Sequence, residues 1–274
     1  MNEINKQVEN QYHRPHLFED ILNLLAQQGV DLNNVLRSDI SGVDEFHVRG
    51  AEISKELVSE FNFNGLTVLD IGCGIGGPAR RLADEFNCKV YGIDMSHEFI
   101  RTAQELSRLV KLDNQTKFIQ GDALALPYKD ASFDVVWTQH VQMNIENKNQ
   151  FYSEVKRVLK NGGTFIYYDI FKKNNEDLNY PVPWANEPTV SFLQTIANME
   201  SILKNLGFVR TKSTDQTAKG IAFLNHLVQK MNNEGPPKSG LNILMGNSTI
   251  EKMSNLLNAL LGNKIELESG IYSK

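Results

Sequence analysis

An α/β fold, with a mostly parallel sheet and helices on both faces, is predicted by three features of this 274-residue chain. Strand-like and helix-like stretches alternate from Leu66 onward. The aliphatic run Val68-Leu69-Asp70-Ile71 leads straight into a glycine-rich turn, Gly72-Cys73-Gly74-Ile75-Gly76-Gly77. Acids then stand at or just beyond the ends of three successive strands, at Asp70, Asp94 and Asp122. Alternating elements are the mark of βαβ units, and a run of aliphatics is what a strand buried on both faces requires.

Leu17, Ile21, Leu24 and Leu25 recur at helical spacing and stop at Gly29, while Ile53, Leu57, Val58 and Phe61 predict a second amphipathic helix. Between them lies Asp44-Glu45-Phe46-His47-Val48-Arg49-Gly50. Strands are predicted near residues 66–71, 89–93, 116–120, 133–137 and 163–170, with helices near 78–86, 97–110, 147–159 and 188–206. Pro78 suits the first position of its helix, and the helix over 147–159 turns Phe151, Val155, Val158 and Leu159 to one face before Gly162-Gly163. A strand near 208–213 precedes two more helices, Ile221 to Met231 and Ile250 to Leu261, separated by a Gly235-Pro236-Pro237 breaker and Gly240. Ser248 and Glu251 form a capping-box pattern, and Gly262 stops the last helix. Lys264 to Ile271 alternates polar and apolar residues and reads as a half-solvated edge strand, the seventh.

Composition narrows the function. With 41% apolar residues and both charge signs mixed, the length suits a single domain with a sizeable core. A net charge of -5 without a Lys/Arg block argues against nucleic acid as a partner and against a polybasic membrane anchor. No run reaches the eighteen or so apolar residues of a membrane span, so no stable membrane insertion is expected. The polar start and only two cysteines, Cys73 and Cys88, make cytoplasmic the expected location. Composition leaves the oligomeric state open, a homodimer being one option.

The glycine turn is suited to close approach of a nucleotide. Gly72, Gly74 and Gly77 fit the G-x-G-x-x-G spacing of a dinucleotide-binding dehydrogenase, and Asp94 is placed to accept both ribose hydroxyls, a feature such an enzyme shares. Asp122 can accept from an adenine amine, or serve only as a turn residue. Asp70 weighs against a dehydrogenase: a carboxylate beside the loop repels a pyrophosphate and attracts a ligand carrying an ammonium and a sulfonium. Its structural alternative is to hold the turn through backbone amides. The alternative for Asp94 is to cap the next helix, a need that Ser96 already fills.

Together, Leu69 to Gly77, Asp94, Gly121-Asp122-Ala123 and Phe133-Asp134-Val135-Val136 resemble the four motifs of class I S-adenosylmethionine-dependent methyltransferases. The resemblance runs roughly from Asp44 to the end of the chain. It implies a Rossmann-like, seven-stranded, mostly parallel sheet with the last strand antiparallel, and S-adenosyl-L-methionine as cofactor. It places Asp70, Gly72, Cys73, Gly74, Gly76, Asp94, Met95, Gly121, Asp122, Ala123, Gln139 and His140 on the cofactor side.

More narrowly, Thr138 to Ile145 and Phe46-His47-x-x-Gly50 resemble the small-molecule type 11 group, including sarcosine/dimethylglycine N-methyltransferases. That resemblance implies a small-molecule acceptor, first an amine nitrogen, with carbon or oxygen of a quinone, sterol-like or polyketide acceptor as the alternative. His47, Gln142, Met143, Asn144, Tyr168 and Trp184 are its expected acceptor-side residues, with His140 as a general base or an orienting group. No metal is required. Residues 1–64 are expected to form a helical lid, 65–214 and 263–271 the cofactor-binding core, and 215–262 a helical insertion. An NAD-dependent oxidoreductase and a non-catalytic S-adenosylmethionine-binding protein are the readings from other classes.

Overall fold

Strands β1 (Thr67–Ile71), β2 (Lys89–Asp94), β3 (Thr116–Gln120), β4 (Phe133–Gln139), β5 (Leu159–Lys172), β6 (Val209–Asp215) and β7 (Ile265–Ser273) form one sheet in the order β3-β2-β1-β4-β5-β7-β6. They are seen in a computed structural model that describes residues 9, 12–235 and 241–274. The expected Pro236-Pro237 and Gly240 breaker lies outside those residues, as does most of the polar N-terminal segment. The first five strands pair in parallel and β7 runs antiparallel to both β5 and β6. The sheet is Rossmann-like, and the order reverses between β1 and β4, where open α/β sheets leave a crevice at the carboxyl ends of the strands.

Helices α1 (Leu17–Gln27), α2 (Arg37–Ile40), α3 (Ala51–Ser59), α4 (Gly77–Phe86), α5 (His97–Leu109), α6 (Lys148–Val158), α7 (Ile196–Asn205), α8 (Thr217–Glu234), α9 (Leu241–Met245) and α10 (Thr249–Leu261) surround it. One face is covered by apolar side chains of α3, α4, α5, α8 and α10, including Ile53, Leu82, Ala103, Leu224 and Leu256. The other is covered by α6 and α7 through Phe151, Val155, Met199 and Leu203. A third apolar cluster seats α1 on α5, with Leu17, Ile21 and Leu25 against Phe99 and Leu106.

Three expectations need correction. β7 is no edge strand: it lies between β5 and β6, and six residues of it in succession, Leu267 to Tyr272, are buried. The polar positions that suggested solvent are covered, Glu268 by the Tyr167 hydroxyl and Ser269 by Gln216. The exposed edge is β6. The helix predicted over 188–206 begins at Ile196, with Thr195 as its N-cap. Upstream, Phe192 N–H donates to the Met143 carbonyl at 2.7 Å and Asn144 Nδ2 to the Val190 carbonyl at 2.9 Å, so that backbone is committed to the loop after β4. Finally, Ser248 caps α10 without a side-chain bond; Thr249 Oγ1 donates to the Gly246 carbonyl instead.

The segment before α3 is fastened by two buried ion pairs. Arg80 Nη2 lies 2.9 Å from Asp44 Oδ2, and Arg81 contacts Glu45 Oε1 at 2.5 Å. Arg80 also donates to the Ile75 and Ala103 carbonyls. A buried charge that loses its counter-ion is costly, whereas replacing both partners by apolar groups is not. Arg80→Met should therefore lower unfolding free energy by roughly 3–5 kcal/mol in urea titrations, and Asp44→Leu in the same chain should return part of it. Equal stability of the single variant and the wild type would show that the pair does not hold the segment.

Candidate active site

The glycine loop owes its path to backbone bonds that the sequence permits. Gly72 and Cys73 N–H both donate to the Ile93 carbonyl, which ties the loop to the end of β2. Gly72, at φ 69°, sits where a Cβ would come within 2.5 Å of Val141 Cγ2. Gly77 meets the Asp44 carbonyl so closely that a Cβ there would lie 2.0 Å from its oxygen. No side chain is tolerated at such separations, so these two glycines bring the loops after β1 and β4 and the pre-α3 segment together.

Asp94 braces the same loop. Its Oδ2 accepts from Gly74 N–H and its Oδ1 from Ser96 N–H, each at 2.9 Å, while Ser96 Oγ accepts from Phe99 N–H as the cap of α5. Burial raises the Asp94 carboxyl above its ordinary range, against the pull of those amides. Asp70, 2% exposed, leaves Oδ2 without a hydrogen-bond partner among the described residues. Burial, then Asp94 and Glu45, push its carboxyl well up. An orphaned acid oxygen in a cavity wall is an unmet demand for a donor.

At the carboxyl edge of the sheet a cavity of about 180 Å³ brings together Asp70, Gly72, Cys73, Gly74, Asp94, Met95, Gly121, Ala123, Gln139 and His140. His47, Met143, Asn144 and Trp184 line it as well. A second cavity, about 260 Å³, lies beyond Phe46, His47, His140, Met143 and Trp184, which wall both. It is lined further by Ile170, Phe223, Leu224, Leu227, Met253 and Leu256 on one side and by Glu45, Arg49 and Glu52 where α3 begins.

Two histidines stand at the junction. His140 takes φ 53°, an uncommon conformation for a side-chain-bearing residue, and its N–H donates to the Tyr168 carbonyl at 2.8 Å. Its ring lies 4.8 Å from that of Tyr168, and Nε2 is buried with no partner among the described residues. Burial and then His47 hold its pKa well below 6.5. His47 Nε2 is 3.0 Å from the Gly50 carbonyl oxygen, 3.1 Å from Gln139 Nε2 and 3.2 Å from Ser54 Oγ. Gln139 Oε1 accepts from Trp137 Nε1–H, which fixes that amide's orientation. Burial lowers His47 to about 4, with Glu45 pulling the other way.

Four expected site residues do not wall either cavity. Gly76 begins α4 in a left-handed conformation and packs against Phe118 and Arg80. Asp122 Oδ1 accepts from Leu124 N–H at 2.8 Å, the turn role. Gln142 is turned away, Nε2 donating to the Ile170 carbonyl at 2.6 Å. Tyr168 is fully buried behind His140. The loop carrying Gln142 to Asn144 is instead held by Asp169, which accepts from Val141 and Gln142 N–H, and by Lys148, which donates to the Gln142 and Ile145 carbonyls. Burial raises Asp169 to about 6 and lowers Lys148 to about 7.

Sequence reasoning missed Tyr12, whose hydroxyl donates to Asn144 Oδ1 at 2.8 Å, and the cavity residues Arg14, Phe99 and Lys252. One signal was available. Lys252 shares a 3-4 spaced stripe with Thr249, Met253, Leu256, Leu257 and Leu260, a buried position for a charge.

Residues 62–235 match the model of a family described as a methyltransferase domain, and the chain belongs to that family. The methyl donor of the family is S-adenosyl-L-methionine. Among relatives, the 2-methyl-6-phytyl-1,4-hydroquinone methyltransferase of Synechocystis sp. is 35% identical over 148 residues, 52% of this chain and 45% of that one. A sterol 24-C-methyltransferase of Clavispora lusitaniae is 30% identical over 161 residues, 56% of this chain and 42% of that one. The chain thus spans less than half the length of these two relatives. A crystal structure described as a putative sarcosine dimethylglycine methyltransferase from Galdieria sulphuraria superposes with a TM-score of 0.68 at 16% identity, over 82% of this chain and 85% of that chain. That likeness shows the shared fold.

Neutral His47 has a pH consequence. In the unfolded chain it takes a proton near 6.5, in the folded chain only near 4, so stability is lost as pH falls through that window. His47→Gln keeps a donor for the Gly50 carbonyl and removes the titration. Between pH 6.5 and 4 the wild type should lose about 3 kcal/mol more than the variant, measured by urea unfolding across pH. Parallel curves would contradict a buried neutral imidazole.

Proposed function

We propose that this chain transfers the methyl group of S-adenosyl-L-methionine to a small-molecule acceptor with an apolar body, at carbon or oxygen. The observation that carries the reading is the second cavity, which shares His140 with the first and has one wall of Ile170, Phe223, Leu224, Leu227, Met253 and Leu256, with Glu45, Arg49 and Glu52 lining it where α3 begins. Such a wall favours burial of a quinone, sterol-like or polyketide body, and gives little return for dehydrating a glycine-derived amine. The sterol and hydroquinone relatives support the same choice.

The residues present fit the donor. The orphaned Asp70 Oδ2 suits its ammonium, the Gly72–Gly74 backbone suits close approach, and Asp94, Met95, Gly121 and Ala123 suit its ribose and base. When bound, it supplies a methyl group already activated on a sulfonium. Little covalent help is then needed, and orientation with exclusion of water supplies most of the rate.

His140 Nε2 takes the proton that the acceptor atom releases as its new bond to carbon forms. Its depressed pKa keeps it unprotonated through neutral pH. A weak base suffices because an oxygen or carbon acceptor becomes strongly acidic on methylation. His47, Gln139 and Ser54 form a hydrogen-bonded polar group beside it. The described parts of the flanking segments, residues 12–64, 215–235 and 241–262, wall the acceptor chamber and act as its lid.

Calorimetry with S-adenosylmethionine and S-adenosylhomocysteine, followed by a turnover screen over quinol, sterol-like and amine acceptors, tests the reading. Binding with turnover on an apolar acceptor is expected. Turnover confined to amines would overturn the acceptor class, and absence of binding the whole assignment. His140→Ala should lower kcat about 100-fold at saturating donor while leaving donor affinity within about threefold. Unchanged kcat would remove His140 as the base.

A further inference from the structure

The cavity below the glycine loop is electrically two-ended. Asp70 and Asp94 stand on the strand side, while Arg14 and Lys252 stand where the segment before α1 meets α9 and α10. Asp44 is matched by Arg80, and Glu9 accepts from Gln120 at the edge of β3.

Nothing comparable matches Arg14 or Lys252 among the described residues. Lys252 is 2% exposed, and the one hydrogen bond of its Nζ among the described residues is a long one, 3.5 Å to the Met245 carbonyl. Arg14 Nε donates to the Leu244 carbonyl at 2.8 Å and Nη1 to the His13 carbonyl at 2.6 Å. Each cation therefore faces neutral backbone. Burial lowers both pKa values, and proximity to Arg14 lowers that of Lys252 further. Two like charges on one cavity wall, neither bonded to a carboxylate among the described residues, are a destabilising arrangement for a merely structural role. They are a favourable one for an anion, since an arginine fork and a lysine point charge are complementary donors to carboxylate or phosphate oxygens.

We propose that Arg14 and Lys252 form an anion subsite that holds a carboxylate or phosphate group carried by the acceptor. The assignment to the acceptor rests on the reading of the second cavity as its chamber. Met245, whose carbonyl receives Lys252, lines both cavities, so an apolar body lodged against Leu227 and Leu256 can extend its acidic end to the pair. The donor's own carboxylate is the other source of the same chemistry.

The experiment uses the full chain saturated with S-adenosylhomocysteine and titrates inorganic phosphate, decyl phosphate and decanol, with Lys252→Met and Arg14→Gln alongside. Decyl phosphate is expected to bind at least tenfold more tightly than decanol, with that preference reduced about tenfold in each variant and S-adenosylhomocysteine affinity unchanged. Inorganic phosphate is expected to raise the Tm of the wild type and not of Lys252→Met, a variant that removes a buried charge and should fold. If phosphate and decyl phosphate both bind through the pair but decanol does not bind at all, the subsite stands and the apolar chamber fails. Equal affinity for decyl phosphate and decanol, or no phosphate binding, overturns the subsite. Loss of S-adenosylhomocysteine affinity in the variants gives the pair to the donor's carboxylate and overturns its assignment to the acceptor.

Discussion

Arg80 and Arg81 reach from the first turn of α4 to Asp44 and Glu45, and the walls of both cavities depend on those two buried contacts. Two guanidinium groups leave water only because carboxylates and backbone carbonyls replace it. The absence of a side chain at Gly77 lets the Asp44 carbonyl lie against the start of α4. Phe46 and His47 follow immediately in sequence, so the same clamp that fixes the acids sets the ring of His47 6.1 Å from that of His140. The glycine loop and the pre-α3 segment are in this sense one unit, although about thirty residues separate them.

Around that unit, burial decides protonation. His47 and His140 are kept neutral, Asp70 and Asp94 are pushed toward protonation, and Lys148 is brought to about 7. Polar groups are concentrated where the two cavities meet; beyond them the second cavity has one apolar wall from β5, α8 and α10, with Glu45, Arg49 and Glu52 lining it where α3 begins. A site of this build can orient a charged donor on one side and strip water from an apolar partner on the other, which is where a methyl transfer gains most of its rate.

Much of this was readable from local pattern. Aliphatic runs, helical spacing and glycine punctuation depend on nearest neighbours along the chain, so the seven strands and most helix limits emerged within a few residues of their positions. Pattern failed where a distant partner competed with local preference. Val190 and Phe192 bond to the loop after β4, and Gln194 to the end of β5, so residues 188–195 do not join α7. The alternating polar residues of β7 suggested water, but Tyr167 and Gln216 supply their partners inside the sheet. The site divides the same way: Asp70, Gly72, Gly74 and Asp94 belong to a contiguous strand–turn grammar, whereas Tyr12, Arg14 and Lys252 come from the ends of the chain and meet only when α1 and α10 are packed.

By itself the sequence determined the α/β class, the placement of the glycine loop and its acids, and the resemblance to S-adenosylmethionine-dependent methyltransferases, because each is written in residues close together along the chain. Only the tertiary structure decided that Asp122 closes a turn, that Gln142 points away from the cavity, that Asp44 and Glu45 are matched by consecutive arginines, and that two cations share a wall. Those outcomes depend on burial and on which side chain supplies a missing charge or hydrogen bond. Neither is defined until segments far apart in the chain are brought into contact.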